Sequence, residues 1–476
     1  MRDDATFASV RQALELDSAM EVQTDPVELA RLSRDAYDYS PVLAERLAAC
    51  RAQLVVSPAD VSAVERLAAV CVQHGVPLTV RGAGTGNYGQ CVPLEGGVVM
   101  LSGGLRAIRE LDPITGVVTV EPGCPMRELD QQLRRNGRQL RLLPSTWRSA
   151  SIGGFIAGGS GGVGSIRWGM LREPGNILNL RVVTMEETPR CVDLTGDAID
   201  AAAHAFGANG VITEVTLPLA PTYDWVEMLV SYPTWSQALE AGWTVTHHEG
   251  LWLKELAAVE APAPYQYFAR YRKFLESGDN VLCILAAPNA VAPLSDKLKR
   301  QGGRIAYQSD QLSDTDRKGL TRLHHLTWNH TTLQARRVDP EITYLQVGIP
   351  VDRPLETLDA ISRQFPGELI GHVEFVRASG RVYASSLPLL HYQNAERLLE
   401  ISLWLEAAGC TCYNPHSYRL EEGMHSDVDP VQLQMKKDHD PKGLLNPGKM
   451  IAWEDAEYRF DPAVHRPFPG LQKAKS

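Results

Sequence analysis

Long apolar runs are missing from this sequence. The longest apolar stretches, such as residues 153–157 and 281–287, fall far short of the ~20 residues that a membrane-spanning helix needs. The first ten residues contain no positively charged region followed by an apolar run, which is the pattern of a secretory signal. We therefore expect neither a membrane span nor a secretion signal.

Basic clusters and paired cysteines are equally scarce. The net charge of -10 and the pI near 5.8 argue against nucleic acid as a partner, because phosphate binding needs a basic face. The eight cysteines are scattered, none forms a C-x-x-C pair, and Cys410 and Cys412 lack the partners of a zinc site. We expect free thiols in a reducing cytoplasm.

The length of 476 residues predicts two domains, because a chain of this size exceeds a single core. Short β-branched segments and amphipathic helices fill residues 28–222, after an N-terminal extension over 1–27. Aromatic residues become frequent after residue 222, and strands alternate with longer helices over 223–415. The last segment, 416–476, contains one more amphipathic helix.

Glycine is abundant, with 39 residues, and it is clustered. Residues 81–87 (RGAGTGN) follow a predicted strand, and their alternating glycines allow successive N–H groups to face one anion. A Rossmann turn would have to open a helix, which the following YGQCVP does not favour, and a Walker A loop would need Lys-Ser or Lys-Thr. A simple tight turn remains an alternative for this loop.

A second cluster, residues 151–164, holds seven glycines in fourteen positions. So many positions without a side chain are costly in entropy, which indicates that something approaches the backbone closely. A flexible linker is the alternative, but Ile152, Phe155, Ile156 and Val163 are apolar, whereas linkers are polar. The two clusters together predict one extended ligand held along its length.

Five motifs in order resemble the FAD-binding region of the vanillyl-alcohol oxidase/p-cresol methylhydroxylase (PCMH) superfamily, nearest to its glycolate oxidase and D-lactate dehydrogenase-like flavin subunits. They are residues 80–86 (VRGAGTG), 151–154 (SIGG) with Gly161-Gly162, 167–169 (RWG), 210–214 (GVITE) and 440–449 (DPKGLLNPGK). The resemblance covers about residues 28–222 and 430–451.

The resemblance implies an α+β protein. It would have a two-part PCMH-type FAD-binding domain, completed by residues 416–476, and an α+β cap domain with an antiparallel sheet. The first loop, residues 81–87, would wrap the pyrophosphate, and the second, residues 151–164, would run past the isoalloxazine and the ribityl chain. Ile212 would contact the adenosine end of FAD through its backbone. Asn446 would lie near the flavin. The implied cofactor-binding residues are Arg81, Gly82, Ala83, Gly84, Thr85, Gly86, Asn87, Ser151, Gly153, Gly154, Ala157, Gly158, Gly161, Gly164, Ile212 and Asn446.

Covalent attachment of the flavin is not expected. Many relatives attach it through a histidine in the first loop, where this chain has Thr85, and residues 82–90 contain no histidine. Some relatives add a cysteine before the second glycine pair, where this chain has Ser149-Ala150-Ser151. We therefore predict non-covalent FAD.

Flavin-dependent oxidation needs a base near the proton that leaves the substrate. The first candidate is His416, with Tyr418 or Arg419 orienting the substrate. The second is His372 with Glu374, which would share one face of a strand, and the third is His330, followed by two arginines that suit a carboxylate. For each candidate, a structural or solvated residue is the alternative.

The 2-hydroxyacid dehydrogenase branch of the superfamily carries H-x-G-D-G-N-x-H and E-H-G stretches that supply metal ligands, and neither occurs here. No metal is therefore assigned. The sequence predicts an FAD-dependent enzyme that oxidises an alcohol, a 2-hydroxy acid or an amine, with oxygen or another redox partner as acceptor. The alternative is a flavin-binding electron-transfer subunit without its own substrate site.

Overall fold

The computed structural model describes residues 3–460, which form two packing units. The first unit contains residues 3–160, Pro174–Thr222 and residues 416–460. The second contains Gly161–Glu173 and Tyr223–Pro415. Residues 1–2 of the predicted N-terminal extension and 461–476 of the predicted C-terminal segment lie outside the described residues.

The first unit begins with a four-stranded sheet. Its strands are β1 (Met20–Gln23), β2 (Leu54–Pro58), β3 (Leu78–Arg81) and β4 (Val98–Leu101). The spatial order is β1-β2-β4-β3, with β1 antiparallel to β2 and the other neighbours parallel. Helices α1 (Asp4–Glu15) and α4 (Val61–His74) pack on this sheet and bury a shared apolar core.

Helix α4 follows the local sequence signals. Asp60 caps its first turn by accepting a hydrogen bond from the N–H of Ala63 at 2.8 Å. Val64, Leu67 and Cys71 lie on its buried face. The helix ends at Gly75, whose φ of +62° is the left-handed conformation that glycine adopts without strain.

A second sheet of the first unit is antiparallel throughout. Its strands are β5 (Ile108–Asp112), β6 (Val117–Val120), β7 (Arg138–Leu140), β8 (Asn179–Val183), β9 (Cys191–Leu194) and β10 (Val211–Pro221). The order is β5-β6-β10-β8-β9, and β7 also pairs with β10. The other helices of this unit are α2 (Pro26–Leu32), α3 (Pro41–Leu47), α5 (Met126–Arg135), α6 (Ile152–Gly158), α15 (Leu420–Met424), α16 (Pro430–His439) and α17 (Ile451–Glu454).

The C-terminal segment returns to the edge of the first sheet. The N–H of Leu78 donates to the carbonyl of Leu444 at 2.8 Å, and the N–H of Asn446 donates to the carbonyl of Leu78 at 2.7 Å. Leu445 bridges Leu78 in parallel orientation. The segment therefore lies beside β3, the strand that leads into the first glycine loop.

The second unit is built on an eight-stranded antiparallel sheet of order β14-β11-β13-β12-β18-β19-β16-β21. These strands are β11 (Val226–Tyr232), β12 (Leu253–Val259), β13 (Asn280–Ala286), β14 (Arg304–Gln308), β16 (Gln346–Gly348), β18 (His372–Ala378), β19 (Arg381–Ser386) and β21 (Thr411–Tyr413). A small sheet adds β15 (Ile342–Tyr344), β17 (Leu369–Ile370) and β20 (Leu389–His391). The helices are α7 (Ser165–Trp168), α8 (Trp235–Thr246), α9 (Ala263–Tyr267), α10 (Pro288–Arg300), α11 (Asp314–Arg317), α12 (Asn329–Arg336), α13 (Pro354–Gln364) and α14 (Ala395–Ala407).

The architecture confirms the predicted α+β class with an antiparallel sheet in the second unit. The packing units differ from the predicted segments in two places. The predicted N-terminal extension packs into the first unit, because α1 buries Val10 and Leu14 in its core. Gly161–Glu173 packs with the second unit, where the N–H of Gly164 donates to the carbonyl of Lys254 at 2.8 Å.

Candidate functional site

The first glycine loop turns its carbonyl groups into the protein. The carbonyl of Gly86 accepts from the N–H of Ala36 at 2.7 Å, and that of Gly89 accepts from Lys449 Nζ at 2.5 Å. Within the described residues, four successive backbone N–H groups donate to no other group: those of Ala83, Gly84, Thr85 and Gly86. Unpaired N–H groups in series make a concave anion site.

Arg81 supports this loop from below. Its guanidinium is buried and donates to the carbonyl of Arg34 and to Cys91 Sγ, the latter at 3.4 Å. A side chain at Gly84, which has a φ of +66°, would collide with that guanidinium. The structure thus gives the Arg81 side chain a supporting position, while its predicted role at the pyrophosphate stays a prediction.

A buried pair of opposite charges lies behind the same loop. Burial raises the pKa of the Asp35 carboxyl to about 7, against the pull of Lys449 and Arg81. Burial also lowers the pKa of the Lys449 ammonium to about 8, although the Asp35 charge opposes that shift. The amine nevertheless holds the carbonyl of Gly89, so this pair fixes the back of the loop.

The second glycine segment begins as a short helix rather than an extended loop. Ser151 caps α6 by accepting from the N–H of Gly154 at 3.3 Å, and Gly153 packs closely on Pro122. A side chain at Gly82 would collide with the Ser151 hydroxyl and would lie in van der Waals contact with the backbone of Gly154. The two glycine segments therefore approach each other as closely as residues without side chains allow.

The ends of the two glycine segments are also joined. Gln90 Nε2 donates to the carbonyl of Gly158 at 2.9 Å. Ala157 and Gly158 are half-buried at the end of α6, and the carbonyl of Ala157 accepts from the N–H of Phe206 at 2.9 Å. One hydrogen-bonded frame thus carries both segments.

The remaining predicted cofactor ligands have structural partners. Asn446 is buried, and its Nδ2 donates to the carbonyls of Gln90 and Phe206 at 2.7 and 2.6 Å. Thr85 Oγ1 accepts from Thr146 at 3.3 Å, and Ile212 is a buried residue beside an irregularity in the β10–β8 pairing. Asn87 is half-buried in the loop, and Gly161 and Gly164 belong to the second unit. Their contacts with FAD stay predictions.

This arrangement fits the FAD that the sequence predicts. Four unpaired N–H groups suit a pyrophosphate, and the contact of Gly82 with Gly154 packs the two glycine segments against each other. The side chains around the loop, such as Arg81, serve as its support.

A second polar centre lies inside the second unit. Strand β18 places His372 and Glu374 on one face, and His372 Nε2 bonds Glu374 Oε1 at 2.8 Å. Both side chains are sealed from solvent, with 0% and 1% exposure. Glu374 Oε1 also accepts from the backbone N–H of Trp328 at 2.6 Å, and His372 Nε2 lies 3.3 Å from Thr331 Oγ1.

The electrostatics of this centre follow from burial. Burial lowers the pKa of His372 to about 4, so its imidazole is neutral at pH 7. Because Nε2 faces a carboxylate, Nε2 carries the proton and Nδ1 presents a lone pair. Within the described residues, no group meets hydrogen-bond geometry with that buried Nδ1, although the Leu387 backbone raises the pKa of the ring. A buried imidazole held by a carboxylate at one nitrogen is suited to accept a proton at the other.

Trp328 adopts an unusual backbone conformation beside this centre, with φ of +53° and ψ of -144°. Only glycine visits this region readily, and other residues pay about 1–3 kcal/mol for it. The hydrogen bond to Glu374 and the start of α12 hold the residue there. Strain of this kind is concentrated at functional sites.

His330, two residues further along α12, lies in the same neighbourhood. Burial and the nearby Arg337 lower its pKa to about 4. The next residue, Thr331, contacts His372. The ring centre of His330 lies 6.0 Å from that of His325. The structure therefore brings His330, His372 and Glu374, which are predicted from separate sequence motifs, into one region.

The His416 group belongs to the first unit. His416 is buried, and its Nδ1 lies 2.7 Å from the hydroxyl of Ser40, the residue that caps α3. Tyr418 and Arg419 line an open cavity of about 310 Å³, where Arg419 lies 3.9 Å from Glu454. Ser40 thus gives His416 a structural partner, and its predicted role as base stays a prediction.

Sequence reasoning missed Glu255, which lies on the adjacent strand β12 two residues from Ala257, the residue opposite Glu374. The signal was present, because Lys254-Glu255 interrupts an otherwise apolar strand (LKELAAV).

Among the described residues, no group of three or more His, Cys, Asp or Glu side chains is arranged to hold a metal ion. No helix within residues 3–460 has the length and apolarity to cross a bilayer.

Comparison with known proteins identifies a domain. The family described as FAD binding domain matches residues 52–190. That range contains both glycine segments, residues 81–87 and 151–164. The match confirms the predicted cofactor.

Longer similarities extend beyond this domain. The chain is 25% identical over 441 residues to a probable mitochondrial D-lactate dehydrogenase of Danio rerio, covering 84% of each protein. It is 32% identical over 179 residues to the glycolate oxidase subunit GlcD of Escherichia coli (strain K12), covering 36% of this chain and 35% of that subunit. An alkyldihydroxyacetonephosphate synthase structure matches with a TM-score of 0.70 at 14% identity, covering 94% of this chain and 86% of the synthase. The last similarity concerns the fold.

Proposed function

We propose that this chain, a member of the vanillyl-alcohol oxidase/p-cresol methylhydroxylase-type FAD-linked oxidase superfamily, oxidises a small 2-hydroxy acid to the 2-oxo acid. The observation that carries the proposal is the similarity to a D-lactate dehydrogenase over 84% of the chain, which includes both packing units. The chain is an FAD-dependent oxidoreductase for a small organic substrate, and 2-hydroxy acids are the narrower class that its relatives favour.

The first unit would hold the cofactor. The N–H groups of Ala83, Gly84, Thr85 and Gly86 would bind the pyrophosphate, and the backbone around Gly82 and Gly154 would flank the rest of the molecule. FAD, when bound, supplies the acceptor for the hydride that leaves the substrate carbon, and oxygen or another redox partner then re-oxidises it.

The second unit would handle the proton. His372, whose imidazole is neutral at pH 7, is the proposed acceptor of the substrate's hydroxyl proton, and because it is sealed from solvent the hydroxyl would have to enter the second unit to reach its Nδ1. Glu374 holds the opposite nitrogen at 2.8 Å and stabilises the imidazolium that forms. Arg337 would offer positive charge for the substrate carboxylate, and His330, which is neutral at pH 7, would offer a hydrogen bond.

We propose non-covalent FAD, because residues 82–90 contain no histidine and Ser149 to Ser151 include no cysteine. Acid precipitation of the purified protein should leave yellow flavin in the supernatant. A pellet that stays yellow after washing would contradict this proposal.

An anaerobic substrate screen tests the function. The purified FAD-loaded protein is mixed with D- and L-lactate, glycolate and 2-hydroxyglutarate, with primary alcohols and amines as comparison sets, and the flavin absorbance is followed. Bleaching by a 2-hydroxy acid supports the proposal. Bleaching by alcohols or amines alone contradicts it, and bleaching by no compound favours an electron-transfer subunit without its own substrate site.

We also place the protein in the cytoplasm. All eight cysteines lie among the described residues and are free, as is usual in a reducing compartment. The D-lactate dehydrogenase relative is named as mitochondrial, so cell fractionation with a cytoplasmic marker enzyme is the direct test.

A further inference from the structure

We infer that Glu255 is a positioning residue: it holds a proton between its carboxyl and that of Glu374, which keeps Glu374 ionised and aimed at His372. The kinetic part of this inference rests on the proposed function, whereas the state of the carboxyl pair is independent of it.

The strand register brings the two carboxyls together. Strand β12 pairs antiparallel with β18, with Ala257 opposite Glu374. Glu255 lies two residues before Ala257 and therefore on the same face of the sheet. Glu255 and Glu374 are 3% and 1% exposed, and a hydrogen bond between the two carboxyls is among the causes that shift the pKa of each. Two ionised carboxylates in contact and without water would repel strongly, so the pair keeps one proton.

The hydrogen bonds decide which carboxyl carries that proton. Glu374 Oε1 receives two N–H groups, from Trp328 at 2.6 Å and from His372 at 2.8 Å, which stabilises its ionised form. Within the described residues, Glu255 Oε1 is buried with no hydrogen-bond partner. The carboxyl that receives fewer hydrogen bonds is the more stable one in its protonated form, so Glu255 donates and Glu374 accepts.

The surrounding groups agree with this assignment. Burial and the charge of Glu374 raise the pKa of Glu255 well above its usual range, against the smaller effects of the Trp328 side chain and His372. Burial raises the pKa of Glu374 to about 7, with hydrogen bonds from Glu255 and Trp328 opposing that rise. Cys283, on the neighbouring strand β13, is neutral because burial raises the pKa of its thiol. The cluster therefore carries one negative charge.

That single charge has a consequence for His372. A proton accepted at Nδ1 forms an imidazolium whose Nε2–H already faces the ionised Glu374, so no group has to move into place. If residue 255 could no longer donate a proton, Glu374 would lose one of its three hydrogen bonds. We expect Glu374 then to point less uniformly at His372.

Infrared spectroscopy tests the proton assignment without substrate. A protonated carboxyl has a carbonyl stretch that is separate from that of a carboxylate, and other buried acids cancel in a difference spectrum. At pH 7 we expect the FAD-loaded Glu255→Gln variant to lose one protonated-carboxyl band relative to wild type, and Glu374→Gln to keep it. Glu276→Gln, at an exposed position, is the matched control and should change no such band. The assignment is overturned if Glu374→Gln loses the band while Glu255→Gln keeps it. It is also overturned if neither variant loses the band.

Kinetics tests the positioning role. With a substrate found in the anaerobic screen, Glu255→Leu should lower kcat about tenfold or more with little change in KM, and Glu255→Gln, which still donates a hydrogen bond, should recover most of that loss. Equal losses in both variants, or none in Glu255→Leu, would overturn the role. If no substrate is found, the proposed function fails, while the infrared result still decides the state of the carboxyl pair. Because Gln and Glu have the same shape, the infrared arm does not depend on the Leu variant folding.

Discussion

Gln90 Nε2 and the carbonyl of Gly158 lie 2.9 Å apart, and this hydrogen bond joins the end of the first glycine loop to the end of the second. Gln90 also presents its own carbonyl to Asn446 Nδ2 at 2.7 Å. The side chain and the backbone carbonyl of Gln90 thus connect the two glycine segments to each other and to the returning C-terminal segment. The shape of the flavin site depends on a residue that need not touch the flavin.

Replacing Gln90 by alanine should weaken FAD binding about fivefold, because a lost hydrogen bond costs about 1 kcal/mol and lets the two loops move relative to each other. Titration of deflavinated protein with FAD, followed by flavin fluorescence, measures the change. Gln434→Ala is the control, since Gln434 is exposed and bonds Asp438 within one helix. Equal affinities in the wild type and Gln90→Ala would show that the loops keep their relative position without this bond.

Gly82→Ala should reduce FAD content strongly while the protein still folds. The added methyl group would collide with the Ser151 hydroxyl, and such overpacking costs about 1–3 kcal/mol. Gly103→Ala is the matched control, because no heavy atom lies within 4 Å of the added Cβ there. The ratio of flavin to protein absorbance and the melting temperature are measured for both variants. Full flavin occupancy in Gly82→Ala would mean that the two segments are not closely apposed.

Two histidines compete for the role of base, and one comparison separates them. His372→Gln should lower the rate of flavin reduction about 10²- to 10⁴-fold, since glutamine cannot accept the proton. His416→Gln should leave that rate constant much less affected, because the structure gives His416 a partner in Ser40. Stopped-flow reduction of the FAD-loaded variants by the identified substrate decides between them. The reverse order of effects would assign the proton to His416.

Acid should destabilise the protein through His372. Its pKa is about 4 when folded and about 6.5 in an unfolded chain. As pH falls from 6.5 to 4, the unfolded state takes up a proton that the folded state does not, so this histidine removes about 3 kcal/mol of stability in that window. His372→Gln should lose correspondingly less over the same range.

Urea unfolding at pH 7, 5.5 and 4 measures this difference in the free energy of unfolding. His391→Gln is the control, because the His391 side chain is 41% exposed. Parallel pH dependence in the wild type and His372→Gln would show that His372 is protonated in the folded protein.

The glycine loops could be predicted from sequence because their information is local. A strand followed by alternating glycines sets the direction of the N–H groups within a few residues, and no distant partner is needed to recognise it. The pairing of His372 with Glu374 was equally accessible, because residues two apart in a strand share a face. The helix at α6 was missed, since seven glycines do not favour a helix and Ser151 and packing on Pro122 decide the outcome.

The partners of these residues could not be predicted, because they come from distant parts of the chain. Glu255 and Glu374 meet only through the register of β12 and β18. His416 meets Ser40, 376 positions earlier in the sequence. No periodicity within a short window encodes such contacts, although a charged residue within an apolar strand indicates that some buried partner exists.

Trp328 occupies a backbone position that suits glycine, beside a carboxylate that accepts its N–H group. A large aromatic residue therefore stands where the main chain alone would favour the smallest one. Its backbone conformation costs about 1–3 kcal/mol, and the structure around it has to offset that cost. The carboxylate of Glu374 thus does two things at once: it orients an imidazole and it keeps a main-chain N–H in a conformation that the chain alone would leave.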